Sequence, residues 1–207
     1  MINMFGDTTS PDGINTHPFT GITTRNVLGG DNGFYMQSSN TRSNTYKTFS
    51  NMIDEIRLTP AHYPPVGYTY SYVLQHPDNR IVVPFTEPRL VLVAVYRNAE
   101  AAGEERKLER YQMEELPLEV LGNLKQAGVQ FPKSYTEEMN AKYRGYNKTD
   151  IPAMDVLVDF TWGQFTGNNT PYTCKGVVLR NKRTGLRCKF RNPNYEYVKN
   201  LKGNHPK

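Results

Sequence analysis

The sequence predicts an α+β fold, with antiparallel sheets, helices packed outside them and a cleft between. Three observations predict it. Aromatic and β-branched runs recur between turn signals, as in Tyr68–Leu74 (YTYSYVL) and Leu90–Arg97 (LVLVAVYR). Other segments space their apolar residues at i, i+3 and i+4, as helices do. The last third runs strand, basic turn, strand, helix, which is a hairpin followed by a helix rather than a β-α-β crossover.

Each element follows from local chemistry. Met1 to Gly33 is rich in Gly, Asn, Thr, Asp and Pro and reads as loops with short strands. Thr45–Arg57 carries Tyr46, Phe49, Met52, Ile53 and Ile56 at helical spacing, so an amphipathic helix is expected there. Pro60, Pro64, Pro65 and Gly67 end it. Tyr68–Leu74 is a strand, and His76–Arg80 a turn by composition. Ile81–Pro84 and Leu90–Arg97 are near-continuously apolar and read as strands buried on both faces. Glu104–Gln126, with Leu108, Tyr111, Leu118, Leu121 and Leu124, reads as a helical region broken at Pro117. Thr136–Arg144 is a further helix, and Asp155–Phe160 fits either type. Gly176–Arg180 and Leu186–Phe190 form a hairpin across the turn Asn181–Gly185. Asn192 then caps a helix with Pro193 at its first position. Tyr195, Val198 and Leu201 form its apolar stripe, and Gly203-Asn204 ends it.

The 207 residues suit one domain spanning 1–207. An aromatic content of 12% argues for a packed core, although mean hydropathy is −0.66. The net charge of +5 is compatible with a polyanionic partner. Leu90–Tyr96, the longest strongly apolar run, is far short of the roughly 20 residues of a membrane span. The start of the chain lacks a signal-peptide pattern. Cys174 and Cys188 form neither a disulfide framework nor a zinc site and fit a reducing interior, so an intracellular protein is expected. His17, His62, His76 and His205 are scattered without metal-ligand spacing, and no metal ligands are assigned.

Two segments carry chemistry. In Leu186–Arg191, alternation places Leu186, Cys188 and Phe190 on one face and Arg187, Lys189 and Arg191 on the other. Arg180, Lys182 and Arg183 add charge nearby. Phosphate would answer such a face, and so would plain solvation of an edge strand. In Gln75–Ile81, Asn79 can bond a base or ribose and Arg80 can grip phosphate, while a structural turn capped by Asp78 or Asn79 accounts for the same residues.

His76-Pro-Asp-Asn-Arg-Ile-Val82 resembles the SPxNRIV segment, nucleotidyltransferase motif III, of phage-type and viral ATP-dependent RNA ligases. Lys175-Gly-Val-Val-Leu179 resembles motif IV (EGVV), and Lys189-Phe-Arg191 resembles motif V (KxK). Asn192–Asn204 resembles the helix after motif V, and Thr24-Arg25 the TRG segment. The matches keep the family's order and cover the chain from about Thr23 onward. The resemblance implies a nucleotidyltransferase (ATP-grasp-like ligase) domain. It implies Arg25, Arg80, Lys175, Lys189 and Arg191 as nucleotide- or phosphate-binding residues, supported by Asn79 and Tyr195. Lys189 would neutralise charge growing on the α-phosphate, with Arg191 in place of the second lysine.

The family's chemistry needs ATP, Mg2+ and a KxDG lysine that becomes adenylylated. The sequence departs from that pattern at three places. Ser10-Pro-Asp-Gly13 has serine at the lysine position, Val73 stands near the motif III acid, and Lys175 replaces the motif IV glutamate. The motif I region therefore reads as missing or degenerate, and no catalytic residue is assigned. The expectation is a virus-encoded, RNA-ligase-like protein that binds nucleotide or RNA with impaired catalysis. Two alternatives stay open: an active ligase whose lysine comes from upstream or from another chain, and a scaffold that reuses the fold.

Overall fold

The computed structural model describes residues 1–7, 19–24, 33–37, 44–79, 82–97, 114–116, 121–144, 153–166, 172–181, 184 and 186–202. Arg25, Arg80, the Ser10–Gly13 stretch, most of the expected 104–126 helical region and Gly203-Asn204 lie outside them. The fold is mixed α and β, and among the described residues the strands pair antiparallel. The chain divides into two compact units: Met1–Asn79 with Phe85–Pro132 and Pro206–Lys207, and Arg80–Pro84 with Lys133–His205.

The first unit is built on a five-stranded sheet. Its strands are β1 (Ile2–Asp7), β2 (Phe19–Thr23), β5 (Tyr68–Gln75), β6 (Arg89–Arg97) and β7 (Glu114–Leu116), in the order β2-β1-β5-β6-β7. β3 (Gly33–Gln37) and β4 (Asn44–Thr48) pair as a separate ribbon. Side chains two apart share a face, so Ile2 and Met4 on β1 and Tyr70, Tyr72 and Leu74 on β5 all enter one core. On β6 the core residues are Leu90, Leu92 and then Val95. The register slips between Ser71 and Tyr72, which leaves Val93 as an extra residue and shifts the inward parity by one. Met52 and Ile53 from helix α1 (Phe49–Asp54) and Val129, just after helix α2 (Gly122–Gln126), complete the core.

The helix expected from Thr45 starts only at Phe49. Thr48 Oγ1 accepts the Asn51 N–H at 3.1 Å, and Asn51 Oδ1 accepts the Thr48 N–H at 3.2 Å. That capping box fixes the helix start, and Tyr46 belongs to β4, opposite Tyr35. Val82–Pro84 is bends and loop rather than a strand. Glu114–Leu116, expected to be helical, is a strand because its backbone pairs with Val95–Arg97. β6 is not buried along the whole of both faces: Val91 and Val93 are only half-buried, while Ala94 is buried next to Val95.

The second unit holds helices α3 (Thr136–Tyr143), α4 (Ala153–Thr166) and α5 (Pro193–Lys202), and a hairpin of β8 (Gly176–Arg180) and β9 (Arg187–Arg191). The ambiguous Asp155–Phe160 run is helical and lies within α4. Tyr135 meets Phe160 edge-on at 6.2 Å, and Lys142 Nζ reaches Asp159 Oδ2 at 3.1 Å. In the hairpin, Val177 faces Phe190, and Val178 faces Lys189. A Cβ on Gly176 would collide with the Phe190 carbonyl oxygen, and its φ of +157° already departs from ordinary strand geometry. Glycine is therefore the residue that lets β8 start this close to β9. No helix among the described residues is long and apolar enough to cross a membrane.

Candidate functional site

Asn192 organises the second unit's polar surface. Its Oδ1 accepts the Asn194 N–H at 3.0 Å, and its carbonyl accepts the Glu196 N–H at 3.1 Å, so it caps α5 as its sequence context predicts. Its Nδ2 donates to the Cys174 carbonyl at 2.8 Å, and its backbone N–H to the Lys175 carbonyl at 3.1 Å. The side chain is fully buried, so these bonds act in a poorly solvated place. Together they fasten the residues before β8 to the start of α5.

The consequence is a gathering of cations. Lys175 Nζ lies 5.9 Å from the centre of the Tyr195 ring. Burial first, then Lys189 and Lys199, push the Lys175 ammonium below the usual lysine range; Glu196 opposes them and Arg191 adds to the lowering. Burial, reinforced by Glu196, pushes the Tyr195 phenol up, so it stays a neutral ring and hydroxyl. Lys189 and Arg191 share the exposed face of β9. Of the sequence-derived site residues, the structure thus brings together Lys175, Lys189, Arg191 and Tyr195. Asn79 belongs to the first unit, at the end of the short turn Pro77–Asn79, and Arg25 and Arg80 lie outside the described residues. Lys199 and Glu196 were missed, although Lys199 lies four positions after Tyr195 and Glu196 three before Lys199, the helical spacings that offered the signal.

This donor set does not suit Mg2+. A hard divalent cation takes oxygen ligands. The charged groups acting on Lys175 are Lys189, Lys199 and Arg191 against Glu196, and that carboxylate sits 3.5 Å from Lys199 Nζ. An anion fits the surface and a metal does not.

A second polar cluster lies in the first unit. Lys47 on β4 reaches the Glu55 carboxylate at the end of α1 and Asp78 Oδ2 at 2.6 Å. His76, only 2% exposed, has Nε2 3.0 Å from Glu55 Oε2. Its Nδ1 accepts the Asp78 N–H at 3.1 Å, which makes Nε2 the protonated nitrogen that donates to Glu55. Glu55, His76 and Asp78 bring three ligand-type atoms within 4.8 Å of one another. Both imidazole nitrogens are nonetheless committed, and the Lys47 ammonium already supplies the positive charge. The cluster is a structural lock on the His76–Asn79 turn. Burial lowers the Lys47 pKa, but its hydrogen bonds to Asp78 and Glu55 outweigh that and raise it overall. The Lys47 hydrogen bond, partly offset by burial and aided by His76, holds Glu55 below the usual carboxylate range.

No protein-family model, curated protein or solved structure matches this chain.

Proposed function

We propose that this protein binds nucleotide or RNA through a nucleotidyltransferase-like surface in its second unit and does not form a lysyl adenylate. One observation carries the reading: Lys175 lies 5.9 Å from the centre of the Tyr195 ring and within electrostatic reach of Lys189, Lys199 and Arg191, with a single carboxylate, Glu196, among the charges acting on it. Like charges held together raise each other's cost, and a bound phosphate relieves it. The residue pattern of motifs IV and V supports a nucleotide's phosphate as that anion. Lys175 in the place of a metal-binding glutamate supports binding without metal-assisted adenylylation, because its positive charge would oppose Mg2+.

The test is binding of a fluorescent single-stranded RNA by the full chain, measured across salt concentrations. Three or four neutralised phosphates predict a slope of log affinity against log salt of about −2 to −3. Lys189→Ala and Arg191→Ala should each make that slope shallower by roughly 0.7. Absence of binding at low salt would sink the reading. In parallel, labelled ATP that stays on the denatured chain would overturn the non-catalytic half of it.

A further inference from the structure

A cleft in the second unit shares only Arg191 with the phosphate-binding surface. Its walls are Val158, Thr161, Trp162 and Phe165 from α4, and Phe190, Arg191 and Pro193 at the passage from β9 to α5. The four α4 positions fall at i, i+3, i+4 and i+7, so they form one stripe of the helix. Thr161 and Phe165 are buried, whereas Trp162 is 48% exposed and Val158 is exposed beside it. Trp162 meets Phe165 edge-on, with ring centres 6.0 Å apart and planes at 78°. That contact orients the indole while a large part of it remains open to solvent. The cavity volume is about 170 Å³, many times the ~15 Å³ that a single water needs, so it is room for a ligand rather than a hydration site.

We propose that this cleft receives an unpaired base of a single-stranded polynucleotide, stacked on Trp162, while Arg191 and Lys189 hold the adjoining phosphates. The inference rests on the reading of the second unit as a nucleic-acid surface and assigns it a base site. Charge complementarity joined to an aromatic wall selects this occupant. Among the described residues no carboxylate lines the cleft, and the one charged residue there, Arg191, belongs to the same strand face as Lys189. An apolar peptide side chain would fill the cleft without using that cation. A base brings a flat π face for the indole and a phosphate at its edge for the guanidinium. Phe190 and Arg191 point to opposite faces of β9, and both reach the cleft because it lies where the strand ends and turns into α5. The aromatic wall and the cationic face therefore meet at this point.

The chain has a single tryptophan, so fluorescence excited selectively at tryptophan, beyond the absorption of the 14 tyrosines, reads this cleft alone. The experiment titrates the full chain with a short single-stranded oligonucleotide, as RNA and as DNA, and with inorganic polyphosphate. Trp162→Ala and Trp162→Phe are measured alongside by competition against a labelled oligonucleotide. The oligonucleotide should quench Trp162 and polyphosphate should not, although both should bind. Trp162→Ala should weaken oligonucleotide binding about 5- to 150-fold, the range for loss of one base stack, and leave polyphosphate binding unchanged. Trp162→Phe should restore most of the affinity. Salt-dependent oligonucleotide binding without quenching would overturn the base site and leave the phosphate surface standing. An equal loss of affinity for both ligands in Trp162→Ala would assign Trp162 a packing role and also overturn it. Failure of both ligands to bind would remove the underlying reading itself.

Discussion

His76 carries its weight through neighbours far away in sequence. Its ring is buried, its Nε2–H is held by Glu55, and its Nδ1 is held by the backbone of Asp78. Lys47 then closes the circuit by bonding both Glu55 and Asp78. Removing that ammonium would leave two carboxylates side by side against a buried imidazole. Lys47→Met should therefore destabilise the protein by about 1–3 kcal/mol at pH 7, read by urea denaturation. The pH dependence has a definite sign. Glu55 has a depressed folded pKa, so its contribution is present above the ordinary carboxylate range and fades as pH falls through the folded value. Lys47 has a raised one, so its contribution is complete below the ordinary lysine range and fades as pH rises through its folded value. The gap between wild type and variant should thus be widest near neutrality and shrink by pH 3. A gap that stayed constant to pH 3 would mean that Lys47 acts by packing alone. Sequence reading had no access to this circuit. Lys47 precedes Asp78 by 31 positions, and no periodicity links them; the sequence shows only the polar His76–Asn79 turn, which a ligand site and a structural turn explain alike.

At the scale of the element, β8, β9 and α5 were the most legible part of the chain, because every local signal agreed. Asn and Pro sit at the N-cap and first-turn positions, alternation separates the apolar from the cationic face of β9, and a polar turn joins two short β-branched or alternating runs. Elements set by distant partners were not legible. Glu114–Leu116 is charge-rich and becomes a strand through its pairing with β6, and Tyr46 fits a helical stripe until β3 claims it as a strand residue. The energetic hub of the legible region is Asn192, which caps α5 and also ties it to Cys174 and Lys175. Asn192→Ala should cost about 0.5–2 kcal/mol for the lost cap and more for the Cys174 carbonyl left without its donor. It should also weaken polyanion binding, since Lys175 is held beside Tyr195 through the same residue. Asn192→Asp should recover the cap and not the bond from Nδ2. If Asn192→Ala lowered stability and left anion affinity intact, the link between the cap and the cationic surface would fail.

Across the whole molecule, the two compact units differ in the groups that answer to acid. In the first unit, His62 is buried, with Nδ1 accepting the Thr59 N–H at 3.0 Å and its carbonyl accepting the hydroxyl of the fully buried Tyr72 at 2.8 Å. Burial, only partly offset by the Thr59 bond, pushes the imidazole below its ordinary value of 6.5. The unfolded chain therefore takes up a proton that the folded unit refuses. His62 leaves stability whole above pH 6.5 and removes it as pH falls through that value toward the depressed folded one. A single group of this kind contributes at most about 1.4 kcal/mol per pH unit. In the second unit the depressed group is Lys175, lowered chiefly by burial, and its shift starts from the lysine value of 10.5 rather than from within the acid range. Trp162 lies in the second unit, which gives that unit a private fluorescence probe, while far-UV circular dichroism reads both. Between pH 7 and pH 5, the urea midpoint seen by circular dichroism should fall and that seen by Trp162 should hold. His62→Gln should remove most of the difference between the two pH values. If both probes fell together along one curve, the chain would be unfolding as a single cooperative block, and the independence of the two units would be lost with it.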